Sequence, residues 1–228
     1  MMHFHDRRDA GQRLAQAFDG YRGDPSVVVL ALPRGGVPVA YEIAKHLDAP
    51  LDVVVVRKLG VPGHEELAMG AIALGGIRIV DRDVVDRLRI SRDALDSAAE
   101  QELAELDRRE RAFRSGRPGV TLRSRTAILV DDGLATGSTM QAAIAAVRAR
   151  EPARLIVAVP VAPPEACEAI AQRVDEVICL TLARHVFAIG QWYDDFAQTT
   201  DAEVRALLDA RARALPPSPE VPGTAHHA

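Results

Sequence analysis

The run Ala127-Ile128-Leu129-Val130-Asp131-Asp132-Gly133-Leu134-Ala135-Thr136-Gly137-Ser138-Thr139-Met140 restricts this chain more than any other stretch. Four consecutive apolar residues predict a strand buried on both faces, the mark of a parallel sheet sandwiched between helices. A turn of small residues then leads into a predicted helix from Ser138 to Arg150. Each part has a chemical use. The backbone N–H groups of Leu134 to Thr139, the hydroxyls of Thr136, Ser138 and Thr139, and the positive end of the helix dipole together form a cradle for a phosphate. Asp131 and Asp132, adjacent at the strand end, are placed to hold two neighbouring hydroxyls of a ribose, directly or through a divalent metal. Phosphate and diol side by side describe a ribose 5-phosphate.

Two other phosphate loops are excluded. A Walker loop needs a lysine before its Ser/Thr, and Gly137 is followed directly by Ser138; the dinucleotide fingerprint G-x-G-x-x-G occurs nowhere in the chain. The run instead resembles the phosphoribosyl-diphosphate (PRPP) motif of the type I phosphoribosyltransferases at every position: apolar strand, two acids, then Ala-Thr-Gly-Ser-Thr.

Upstream, Asp6 to Phe18 has helical spacing and reads as a packing helix. Val27 to Leu32 is a buried strand running into Pro33-Arg34-Gly35-Gly36-Val37-Pro38, after which Val39 to Leu47 is helical. Paired glycines let a backbone turn tightly and bare its N–H groups, and Arg34 adds a planar cation, a combination that suits a pyrophosphate. This segment resembles the first pyrophosphate loop of purine phosphoribosyltransferases. Leu51 to Val56 is a second strand that delivers Arg57 and Lys58 at its end, where ligands collect in an α/β sheet. That pair resembles the basic dipeptide of adenine phosphoribosyltransferases, and it reads equally as a solvated surface pair. Val61 to Glu66 is a polar loop, and 67–74 with 77–80 reads as a β-hairpin on Gly75-Gly76.

Between Asp81 and Arg125 the composition turns charged and helix-forming, with Ser91 as a cap for a helix over Arg92 to Phe113. Its apolar stripe of Leu95, Ala99, Leu103, Leu106 and Phe113 needs something to cover: the segment is a lid, a fixed flap or a homodimer contact. Strands at Arg154–Val159 and Glu176–Leu180, with a proline-started helix from Pro164 to Gln172, complete an alternating pattern that implies a parallel sheet. The resemblance implies the strand order 3-2-1-4-5, with the strands ending in Pro33 and Asp131 as neighbours. Residues 183–200 gather Phe187, Trp192, Tyr193 and Phe196 in a chain poor in aromatics. The span resembles the hood of 6-oxopurine phosphoribosyltransferases, which makes Phe187 and Trp192 candidate stackers for a base; a hydrophobic cluster closing the sheet edge fits the same residues. Thr200 and Glu203 are spaced as a capping box for a last helix to Leu215, and 216–228 is a Pro-rich tail expected to be disordered.

The whole is expected to be one α/β domain over 1–215, a five-stranded parallel sheet flanked by helices, with a β-hairpin, the helical insertion 81–125 and the hood 183–200. What the resemblance implies is transfer of the 5-phosphoribosyl group from PRPP to a nucleobase or related nitrogen heterocycle, with release of pyrophosphate. Mg²⁺ would be the cofactor, held at Asp131 and Asp132, with ribose 5-phosphate on Gly133, Leu134, Ala135, Thr136, Gly137, Ser138 and Thr139. The pyrophosphate would meet Arg34, Gly35, Gly36, Arg57 and Lys58. A PRPP-sensing or nucleotide-sensing regulator on the same fold is the alternative. Ala135 stands where 6-oxopurine enzymes carry an aspartate, and the hood lacks their lysine, so the acceptor stays open. With 28 basic and 32 acidic side chains, a net charge of -4 and no basic run, nothing favours nucleic acid. No apolar run is long enough to span a bilayer and no signal-peptide core is present, so a cytoplasmic protein is expected. Cys167 and Cys179 lack metal-ligand spacing and are assigned no chemistry.

Overall fold

The computed structural model describes residues 3–73, 77–184 and 188–215, apart from the side chains of 65 and 66. The expected tail at 216–228 and the Gly75-Gly76 turn lie outside the described residues.

Five parallel strands form the core sheet: β1 (Val27–Ala31), β2 (Leu51–Val53), β6 (Thr126–Val130), β7 (Arg154–Ala162) and β8 (Glu176–Leu182), in the order β2-β1-β6-β7-β8. Their side chains alternate between two apolar layers. Val27, Val29, Ile128 and Val130 meet α2 (Gly36–Leu47), α7 (Asp201–Ala214) and Leu14 of α1 (Arg7–Ala15). Val28, Leu30, Ala127 and Leu129 meet α5 (Ser138–Arg148) and α6 (Pro164–Ala171). Each Val, Leu or Ile buried this way stabilises the fold by roughly 1.5–3 kcal/mol, which is why β1 and β6 carry no polar residue between Val27 and Ala31 or between Ala127 and Val130. Counted over the core strands alone the order is 2-1-3-4-5, not the expected 3-2-1-4-5. Among the described residues no strand lies outside β2 in this sheet, because the chain between β2 and β6 forms a sheet of its own. The adjacency that matters holds: β1 pairs with β6 in parallel from Val27↔Thr126 to Ala31↔Val130, so the turns after Ala31 and Val130 open on the same side.

The second sheet is antiparallel and three-stranded: β3 (Val56–Val61), β4 (His64–Ala73) and β5 (Ile77–Val80). The run Leu51 to Val56, expected as one strand, breaks after Val53, and 61–66 is strand and tight turn rather than a loop. Continuous hydrophobicity hides such a break, since a strand changing sheets stays buried throughout. Arg57 and Lys58 therefore belong to β3 and not to the mouth of a core strand.

A short helix α3 (Arg82–Arg87) precedes α4 (Arg92–Arg114), which starts where Ser91 accepts the Ala94 N–H at 3.2 Å. The predicted stripe is buried: Ala99, Leu106 and Phe113 enter the core, with Leu95 and Leu103 packed at its edge. The helix end is pinned by charge. Asp52, 4% exposed, accepts from Arg114 Nε (2.8 Å) and Nη2 (3.1 Å) and from the Val120 N–H (2.9 Å). Further along, Arg57 pairs with Glu102 and Arg78 with Asp96. Any lid motion of α4 would have to break the buried Arg114–Asp52 pair.

Glu110 shares Arg114 (Oε1 to Nη2, 2.5 Å), is 3% exposed, and leaves Oε2 buried with no partner among the described residues. Burial pushes its carboxyl above the usual range, and Arg114 offsets only part of that. The folded state therefore holds this proton more tightly than the unfolded chain. Stability contributed near pH 4 is lost as pH rises through the folded value. Glu110→Gln should gain on the parent protein between pH 4.5 and 7.5, by up to about 1 kcal/mol, in urea melts at both pH values. A variant that instead loses ground as pH rises would contradict the direction of the shift.

Candidate active site

Val130 ends β6 at the carboxyl edge of the sheet, and the next ten residues build the site. Gly137, with φ +74, turns the chain in the left-handed region and caps α5. None of the amide N–H groups from Ala135 to Thr139 donates to a protein acceptor among the described residues. Ala135, Thr136 and Ser138 are exposed, and the Thr136 and Ser138 hydroxyls lie 3.2 Å apart. A row of unsatisfied donors at a helix start, open to solvent, is a site for an anion. Leu134 is not part of it: its N–H donates to the Val161 carbonyl at 2.9 Å, and its side chain is buried. The expected cradle is shorter by one amide, because the turn must be stitched to β7.

Asp131 and Asp132 stand beside this row. Asp131 Oδ1 accepts the Asp132 N–H at 2.9 Å. Burial pushes both carboxyls up; the charge of Asp132 adds to the effect at Asp131, and Arg7 opposes it at both. Facing them is the loop after β1. A Cβ on Gly35 would come within 2.0 Å of Asp132 Oδ2, so only glycine lets this backbone lie against the carboxylate. The Gly36 N–H closes the first turn of α2 on the Leu32 carbonyl at 3.0 Å, which removes it from the amides expected to face a ligand. Arg34 stands half-buried at the same mouth, its Nη1 3.6 Å from Asp201 Oδ1.

The structure thus brings Asp131, Asp132, Gly133, the 135–139 turn, Arg34 and Gly35 together. It engages Arg57 with Glu102 of α4 and leaves Lys58 exposed on β3. Phe187 lies outside the described residues. Trp192 is not offered to a ligand: 6% exposed, it packs with Phe4, Ala10, Val161 and Tyr193, and its Nε1 is buried without a partner among the described residues. Trp192 and Tyr193, with Phe196 packed against them, form a hydrophobic cluster with Phe4, Ala10, Val161 and Ala183, which composition alone does not distinguish from a stacking platform.

Two residues of the site were not visible in the sequence. Arg7, the first residue of the packing helix α1, donates through Nε to Asp132 Oδ2 at 2.8 Å. Tyr193 donates its hydroxyl to the Asp132 carbonyl at 2.6 Å, and burial pushes its own ionisation up. Arg7 sits in no motif, Tyr193 lies in the aromatic span without a role assigned to it, and each meets Asp132 only through the tertiary fold.

A family model described as the phosphoribosyl transferase domain matches residues 5–196. Proteins from two strains of Mycobacterium tuberculosis, both named "Putative phosphoribosyl transferase", are 49% identical over 210 residues. The match covers 92% of this chain and 47% of each relative, so the chain spans about half their length. Among solved structures, the TT1426 protein of Thermus thermophilus is 42% identical with a TM-score of 0.78, covering 91% of this chain and 98% of that one. An Aquifex aeolicus protein shares the fold at 11% identity, with a TM-score of 0.50 over 89% of this chain and 85% of its own. With the family model spanning most of the sequence and the 135–139 turn, acid pair and glycine loop all in place, the chain belongs to the phosphoribosyl transferase domain family.

Proposed function

We propose that this protein transfers the 5-phosphoribosyl group from PRPP to the nitrogen of a heterocyclic base. The anomeric C–O bond to pyrophosphate breaks, a C–N bond forms, and the acceptor nitrogen gives up its proton. The observation that carries the reading is the row of unsatisfied amides at 135–139 beside Asp131 and Asp132, opposite the Arg34-Gly35 loop. In this reading the amides and the Thr136, Ser138 and Thr139 hydroxyls take the 5-phosphate, and the two acids orient the ribose hydroxyls. Charge builds on the departing pyrophosphate, where the Gly35 amide is a preorganised donor, worth about 10²- to 10³-fold by analogy with oxyanion donors, and Arg34 is a cation that would exchange Asp201 for the leaving group.

The acid pair also suits a divalent cation. Asp131 Oδ2 and Asp132 Oδ1 have no protein partner among the described residues, whereas Asp132 Oδ2 is taken by Arg7. No cluster of three or more His, Cys, Asp or Glu able to hold a metal occurs among the described residues. The chain therefore offers part of a coordination shell, and the rest would come from PRPP and water. Mg²⁺ bound there would supply neutralisation of the pyrophosphate charge. No helix of the described residues is long and apolar enough to cross a membrane.

One observation favours the alternative, a regulator that binds PRPP or a nucleotide without turning it over: Arg57, expected on the pyrophosphate, is paired with Glu102. Pyrophosphate release from PRPP, assayed against a panel of nitrogen heterocycles, separates the two. The transferase reading expects base-dependent release, weakened at least tenfold in Asp132→Asn with the fold retained. PRPP binding without consumption by any base would favour the regulator, and no PRPP binding would remove both.

A further inference from the structure

The N-terminal segment is fastened to the hood before α1 begins. The Phe4 N–H donates to the Trp192 carbonyl (3.0 Å), and the Asp194 and Asp195 N–H groups donate to the carbonyls of Phe4 (3.0 Å) and His5 (2.9 Å). Asp6 then caps α1, accepting the Asp9 N–H at 2.8 Å. These bonds set the helix start over the carboxyl edge of the sheet, so its first side chain reaches the site. The Arg7 guanidinium is held in three ways. Nε donates to Asp132 Oδ2 at 2.8 Å, Nη1 donates to the Ala197 carbonyl at 2.7 Å, and Cζ lies 3.8 Å from the centroid of the Phe196 ring. Tyr193, stacked against Phe196 with centroids 4.9 Å apart, holds the Asp132 carbonyl. Asp132 is thus gripped at its backbone and at one carboxylate oxygen by the hood and α1 together, while its other oxygen is left without a protein partner among the described residues.

Arg7 is 12% exposed and Asp132 14%. Immobilising an arginine costs rotamer entropy, and a planar fork held by a carboxylate, a carbonyl and a ring face loses least per bond formed. The bond goes to the oxygen nearest Gly35, where a Cβ would also come within 3.3 Å of Arg7 Nε. The open oxygen is the one left for a ligand. We infer that Arg7 is a positioning residue of the ribose site: with Phe196 and Tyr193 it locks the Asp132 carboxylate in the orientation that receives the ribose hydroxyls. The inference rests on the ribose 5-phosphate reading of the 131–139 turn. It makes ribose affinity depend on the clasp between the N-terminus and the hood.

Isothermal titration of the full chain with ribose 5-phosphate and, separately, with inorganic pyrophosphate tests it in Arg7→Met and Arg7→Lys. Intrinsic emission of Trp192, the single tryptophan, reports whether the hood stays seated. Arg7→Met should weaken ribose 5-phosphate about 10- to 100-fold, as loss of an orienting partner does at ligated sites, and leave pyrophosphate within twofold. Arg7→Lys should fall between it and the parent protein. Ribose 5-phosphate affinity within twofold of the parent in both variants would overturn the inference, as would equal weakening of both probes. If the Arg7→Met emission shifts to that of an exposed tryptophan, Arg7→Lys decides by the same criteria. A parent protein that binds no ribose 5-phosphate fails the underlying reading itself, a result distinct from parent binding that the variants leave untouched.

Discussion

Gly35→Ala should fold normally and lose PRPP binding about 100-fold. The new Cβ would sit 2.0 Å from Asp132 Oδ2 and 2.7 Å from its Cγ, distances no structure tolerates. The obstruction is the end of a side chain, so it yields by rotation of Asp132 and not by displacement of the backbone. The fold thus loses only about 1–2 kcal/mol, within the usual range for overpacking, while the carboxylate leaves the position that the proposed ribose contact requires. A misplacement of about 1 Å at a positioned group costs about 10²-fold. Gly36→Ala offers a contrast, because its Cβ would meet the Val130 carbonyl oxygen at 2.8 Å and the Asp131 Cα at 3.0 Å, both backbone atoms. That variant should lose stability as well. Gly20→Ala, where no atom lies within 4 Å of the added Cβ, is the control expected to change neither property. Melting temperature and PRPP titration on the three variants separate these outcomes, and a Gly35→Ala protein that binds PRPP like the parent would show that Asp132 is not needed where it stands.

The largest loss of stability is expected from Asp52→Ala. This carboxylate holds Arg114 through two nitrogens, the Val120 N–H, and the N–H of Val53 at 2.8 Å, all in a buried position. Removing it strands the Arg114 charge between α4 and β2 with Glu110 as its remaining acid. Breaking a buried pair from one side costs about 3–5 kcal/mol, equivalent to a fall in melting temperature of roughly 10 °C for a chain of this size. A drop under about 2 °C, less than 1 kcal/mol would give, would mean that α4 is held by its apolar stripe alone and is free to move as a lid.

What the sequence disclosed follows the range over which each interaction acts. The turn over 131–139 is legible because its strand, acids, glycine and helix start are contiguous in the sequence. The Thr200–Glu203 capping box, the Ser91 cap and the α4 stripe are legible for the same reason, as each is a local pattern read along one helix. Arg7 was not, since it meets Asp132 across 125 positions and looks like any arginine on a surface helix. Arg57 was placed at a core-strand mouth because an apolar run carries no mark of where a strand leaves one sheet for another. Trp192 and its aromatic neighbours fit a base platform and a hydrophobic plug equally well until burial decides between them. Leu134 and Gly36 look like ligand-facing amides in the sequence because it does not tell which N–H the fold will use for itself.

The amides of residues 135–139 are expected to grip a sugar phosphate. Backbone ¹⁵N–¹H spectra recorded during titration with ribose 5-phosphate address it without requiring turnover or an identified acceptor. Saturable shifts concentrated on Ala135, Thr136, Gly137, Ser138 and Thr139, with Asp131 and Asp132 following, are the predicted result. Saturation that leaves those amides unmoved, or that moves a different set of residues, would contradict it.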